Sequence, residues 1–184
     1  MTDLELTDLL NSLYACHDAK VWAKGKDLST AWNTCERADW MLWLLGKMVD
    51  KPGWQTRSVL VKAACDCAET ALRCVPKGET RPLVAIETAR RWARGQASIT
   101  GVMVARAAAA DADAAAYAAA DAAYAAAAAA AAADADAAAA DAAYAADAAA
   151  AAAAYADATA KLSSHTTMCA LIRQRIPVPY TEGE

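Results

Sequence analysis

Six cysteines and two histidines are the residues of this chain best suited to metal or nucleophile chemistry: Cys16, Cys35, Cys65, Cys67, Cys74 and Cys169, with His17 and His165. A structural zinc site draws its ligands from closely paired cysteines, most often C-x2-C. No such pair exists here, and the spacings are irregular. On a helix, Cys65 and Cys67 fall about 200° apart, which argues against a shared metal there. The expectation is buried free thiols, with no metal and no cofactor. Nucleophilic catalysis needs Cys or Ser beside a His and a carboxylate. The two histidines directly follow Cys16 and Ser164, in no recognised motif, and no Gly-rich phosphate loop is present. The chain reads as a non-enzyme.

A second group could bind without reacting. Glu36-Arg37-Ala38-Asp39 stands at the mouth of an apolar run, Trp40 to Met48. Charges beside a buried helix start form either a paired structural cap, the favoured reading, or a small site. As a site, Arg37 would grip an anion beside the Trp40 amide, with Trp22, Trp32 and Trp43 as stacking surfaces. Its ligand would be a small anion such as a nucleotide.

The third group dominates the chain. Ala107 to Ala160 holds 41 alanines, eight aspartates, four tyrosines and one threonine, with no Gly, Pro, Lys or Arg. Alanine loses no rotamer freedom in a helix, so local preference makes the block helical. As one helix it would span about 81 Å, against a radius of gyration of about 16 Å for a compact chain of this length. It should therefore fold back as two or three antiparallel helices. Asp111-Ala112-Asp113 and Asp134-Ala135-Asp136 are the candidate starts, since Asp caps helix N-termini and suits their dipole. Tyr117 and Tyr124 share a face, as do Tyr144 and Tyr155. Alanines and tyrosines are expected in the core and aspartates in solvent. A sharper reading makes Asp134, Asp136, Asp141 and Asp147 an acidic face for a basic partner.

The rest of the chain must position these groups. Thr2 to Ala23 predicts a helix with a break near Cys16-His17, ended by Gly25. Ser29 and Asp39 are read as caps of helices Thr30–Glu36 and Trp40–Met48, the latter buried all round. After a turn at Lys51–Trp54 comes a helix from Arg57 to Val75, stopped by Pro76-Lys77-Gly78. The next opens at Thr80-Arg81-Pro82, where Pro costs no hydrogen bond, and runs to Arg94. Leu83, Ile86, Ala89, Trp92 and Ala93 should face inward there, and Glu87 should pair with Arg91. Ser98 caps the approach to the alanine block. Lys161–Arg175 is the last helix, ended by Ile176-Pro177-Val178-Pro179.

The fold expectation is an all-α, single-domain helical bundle over 1–180. It divides into Trp-rich N-terminal helices (1–55), middle helices (56–106), the Ala/Asp/Tyr block (107–160), a last helix (161–177) and a tail (178–184). Net charge is −4 overall and −8 in the block, leaving +4 elsewhere. Without a basic stripe, nucleic-acid binding is not expected. Aspartates interrupt the block too often for a membrane span. The acidic start lacks the pattern of a signal peptide, which predicts a cytoplasmic protein with reduced thiols.

Several phrases carry a resemblance: Cys67-Ala-Glu-Thr-Ala-Leu72, Arg81-Pro-Leu-Val-Ala-Ile-Glu-Thr-Ala89 and Arg91-Trp-Ala-Arg-Gly95. With Cys35-Glu-Arg-Ala-Asp-Trp-Met-Leu-Trp-Leu-Leu45 and Ile172-Arg-Gln-Arg-Ile-Pro177, the chain resembles a bacterial family of immunity proteins, the immunity-five-like group. The resemblance touches residues 15 to 178. It implies an antitoxin-type role in binding and neutralising a protein toxin, and it brings Arg81 and Glu87 forward as site residues. Members carry Arg and His among their alanines, whereas this block has only Asp, Tyr and one Thr. Two other expectations stay open: a nucleotide-binding or sponge protein of phage or host defence, and a structural protein forming homo-oligomers.

Overall fold

The computed structural model describes residues 1–110, 145, 148, 149 and 158–181. It is an all-α helical bundle, and the chain's contacts cluster into two compact units, Met1–Cys35 and Glu36–Glu184. The expected caps and turns of the alanine block, and Asp134, Asp136, Asp141 and Asp147, lie outside the described residues.

The first unit holds α1 (Asp3–Ser12), α2 (His17–Ala23) and α3 (Leu28–Thr34). Thr2 and Glu5 form a capping box at the start of α1: Glu5 N donates to Thr2 Oγ1 at 3.3 Å, and Thr2 N to Glu5 Oε2 at 2.7 Å. The break near Cys16-His17 is present. It is made by Tyr14 in the left-handed region (φ 56), with Tyr14 N donating to Asn11 O and Ala15 N to Leu10 O. This is a Schellman end, which reverses the chain and satisfies two carbonyls. The cap of α3 is Asp27, whose Oδ1 accepts from Thr30 N at 2.6 Å, and not Ser29. Leu6, Leu10, Ala23, Leu28, Ala31 and Trp32 are buried.

The second unit holds α4 (Ala38–Met48), α5 (Arg57–Glu69), a 3-10 turn (Leu72–Cys74), α6 (Arg81–Trp92), α7 (Ile99–Ala110) and α8 (Ala158–Arg175). Helix α5 packs against α4, α6 and α8, and α6 packs against α7. Leu60, Val61, Ala63, Ala64, Cys65, Cys67 and Ala68 of α5 are all buried. Small side chains on several faces let three helices approach one axis. Around them close Leu42 and Leu45 of α4, Ile86 and Ala89 of α6, and Met168 and Ile172 of α8.

Four local expectations are corrected. Helix α4 starts at Ala38 with Arg37 at its cap, and Asp39 sits inside the first turn. Its Trp40 and Trp43 are only half-buried, so α4 is not buried all round. Helix α5 stops at Glu69, because Thr70 Oγ1 donates to Cys67 O at 2.7 Å and tighter bonds follow. On α6, Pro82, Ala85, Ile86 and Ala89 face the core, while Leu83 is exposed and Trp92 half-buried.

The tail is docked. Tyr180 pairs in an antiparallel bridge with Trp54, Thr181 N donates to Gly53 O at 2.8 Å, and Gln55 Nε2 to Val178 O at 3.1 Å. The Trp54 and Tyr180 rings lie 5.5 Å apart. Gly53 (φ 78) permits this approach, since a Cβ there would stand 2.5 Å from Thr181 O.

Candidate functional site

Arg37, at the N-cap of α4, pairs with Asp39 of the first turn, and its side chain makes no capping hydrogen bond. Arg37 Nε and Nη2 reach Asp39 Oδ1 and Oδ2 at 2.8 and 2.6 Å, and its guanidinium lies 4.8 Å from the Trp40 ring centroid. A forked pair stacked on an indole holds its cation firmly. The Arg37 side chain nevertheless stays 45% exposed. Trp32 is buried in the core of the first unit, and Trp22 carries the Lys26 ammonium over its ring at 4.3 Å. Glu36 is exposed.

Arg81 is engaged by Glu79. Glu79 Oε1 accepts from both Arg81 N and Nε at 2.9 Å, and Oε2 accepts from Nη2 at 2.5 Å. The side-chain and backbone bonds from Arg81 pull the Glu79 carboxyl down to about 2. Glu87 lies about 240° around α6 from Arg81 and is exposed, so one helix carries the two in separate surroundings. Arg91, its expected partner, donates to Gln96 O at 3.4 Å.

A different cluster joins three helices. Asp66 and Glu69 of α5, three residues apart and so on one face, meet Arg90 of α6 and Arg175 of α8. Arg90 Nη2 donates to Asp66 Oδ1 at 2.8 Å and Glu69 Oε2 at 2.7 Å, and Arg175 Nε donates to Asp66 Oδ2 at 2.6 Å. The bond to Arg90 lowers the Glu69 pKa, and the same bond is the main cause that raises that of Arg90. Beside the cluster opens a groove of about 540 Å³, lined by Asp66, Glu69, Thr70, Leu171, Gln174 and Arg175. The sequence signal was an acidic pair three residues apart on one helix, but its partners lie 21 to 109 residues away. The groove mixes matched charges with hydrogen-bonding groups, which suits contact with another surface.

Cys35, Cys65, Cys67 and Cys169 are buried as expected, whereas Cys16 is exposed and Cys74 half-buried. Burial pushes Cys65 up to about 12 and Cys67 well above its usual value. Cys65 Sγ lies 3.7 Å from Ile86 O, and Cys169 is also buried. His165 is 3% exposed, with Nδ1 standing 3.9 Å from Asp39 Oδ1. Among the described residues no group of three or more His, Cys, Asp or Glu could hold a metal ion, and no helix is long and apolar enough to cross a membrane.

No protein-family model matches the chain, and no curated protein or solved structure matches it.

Proposed function

We propose that this chain is a non-enzymatic, immunity-type protein that binds and neutralises a basic protein toxin through an acidic helical surface. The observation that carries this reading is where the cations are engaged. Arg37, Arg57, Arg81, Arg90 and Arg175 are each held by a carboxylate among residues 39–79. The eight aspartates of 107–160 have no Lys or Arg in their own block. Such a charge division favours a cationic partner and speeds its encounter. The phrases between Cys35 and Pro177 that resemble the immunity family support the same reading, and the buried, protonated Cys65 and Cys67 fit a role without covalent chemistry.

Changing Asp134, Asp136, Asp141 and Asp147 together to Asn tests it. With the cognate toxin in hand, affinity at low salt should fall about tenfold or more, and the difference should shrink as salt screens the field. Unchanged affinity by calorimetry would remove the acidic surface from the account.

A further inference from the structure

Tyr14 ends α1 with its backbone, while its side chain stands open to solvent. It occupies the left-handed position just after α1, where Gly is ordinarily found because a side chain crowds its own backbone. Its ring is 91% exposed, so burial returns nothing for that strain. A strained, exposed aromatic points to a contact made outside the chain. Its surroundings have a definite character. Helix α1 carries Asp3, Glu5 and Asp8 and no Lys or Arg. Leu4, 73% exposed, lies one turn before Asp8 on the face opposite Leu6 and Leu10. Helix α1 thus presents carboxylates and the aliphatic Leu4, with the exposed Tyr14 just beyond its C-terminal end.

The second unit carries the complementary chemistry. Val84 of α6 and Met103 and Val104 of α7 are exposed, the last two at 55% and 65%. Helix α7 has Arg106 and no carboxylate between Ile99 and Ala110, and Arg91 and Arg94 are exposed around the end of α6. Glu87 is the one carboxylate on α6. This face is basic and apolar.

We infer that a second copy of this chain covers these faces: the acidic α1 face of one copy, anchored by Tyr14, docks on the basic α6–α7 face of the next. Apolar anchors meet apolar side chains, and the ring of charges is opposite in sign on the two sides. The contact uses different patches on the two partners, so it is heterologous and propagates head to tail unless it closes into a ring.

The test is sedimentation equilibrium of the purified full chain across micromolar concentrations, at low and high salt. Wild type should associate as concentration rises, and less so at high salt. Tyr14→Gly should weaken association about tenfold or more while leaving the melting temperature unchanged or raising it by about 2–4 °C, because it relieves backbone strain. Asp8→Lys takes the three α1 carboxylates from a charge of −3 to −1, and Arg106→Glu brings an acidic group to the basic face. Each alone should associate more weakly, and mixing the two should restore association, because each variant keeps the face that the other has lost. A wild type that stays monomeric throughout would overturn the proposal. So would association indifferent to Tyr14→Gly and to both charge changes, which would place the contact elsewhere.

Discussion

Among the described residues, Asp66 of α5 ties two further helices to its own. Both its oxygens are taken, by Arg90 of α6 and Arg175 of α8, and its side chain is 14% exposed. Removing its charge would leave Arg175 without this carboxylate and Arg90 with Glu69 alone, in a partly desolvated place. Asp66→Asn should therefore cost about 1–3 kcal/mol in chemical denaturation. Arg175→Gln should cost less, since that end of the pair is more open to water. Equal and negligible losses would show that the cluster adds nothing to the packing of α5. The Arg37–Asp39 pair sits lower on this scale, because half of the arginine faces solvent.

At the level of elements, the sequence made most of the helices visible and hid their seams. The apolar run after Asp39, the proline in the first turn of α6 and Ser98, whose Oγ accepts from Gly101 N at 3.1 Å, all placed helices where they stand. The misread ends were decided by side-chain to backbone bonds that compete with the helix, as at Thr70 and Asp27. Leu83 was expected inside because it is apolar, but Pro82, Ala85 and Ile86 already fill that face of α6. Tail docking was illegible, because a pairing between Trp54 and Tyr180 leaves no local pattern. So was the Asp66 cluster, for the same reason of distance along the chain.

The docked tail and the start of α6 each make a prediction. Gly53→Ala places a methyl against Thr181 O and the Tyr180 ring and holds it in the left-handed region. It should free residues 178–181, raising their amide exchange and altering Trp54 fluorescence, with a loss of about 1–2 kcal/mol from the backbone term. Exchange unchanged at 178–181 would contradict the clasp. At the start of α6, the Glu79 carboxyl falls from its usual 4.5 to about 2 when Arg81 bonds it. A depressed pKa stabilises the fold above the unfolded value, and that contribution disappears as pH falls through the folded one. The stability gap between wild type and Glu79→Gln should thus hold at pH 6, narrow below pH 4.5 and vanish near pH 2. A gap that persists at pH 2 would show that the ion pair is not its source.

For the molecule as a whole, charge is divided along the chain. The alanine block carries −8 and the remainder +4, and five arginines of the remainder are held by nearby carboxylates. That division supports a role in binding an oppositely charged protein, and it rests on the composition of the block together with the pairings around it. The nucleotide alternative fares less well, because the Arg37 charge is already matched by the Asp39 carboxylate and Trp32 is enclosed in its own core. Native mass spectrometry of the tagged chain recovered from its own cell lysate tests the central claim most directly. The account predicts added mass of protein size from a basic partner, lost at high salt and reduced when Asp134, Asp136, Asp141 and Asp147 are changed to Asn. Added mass of only a few hundred daltons, or none beyond copies of the chain itself, would contradict it.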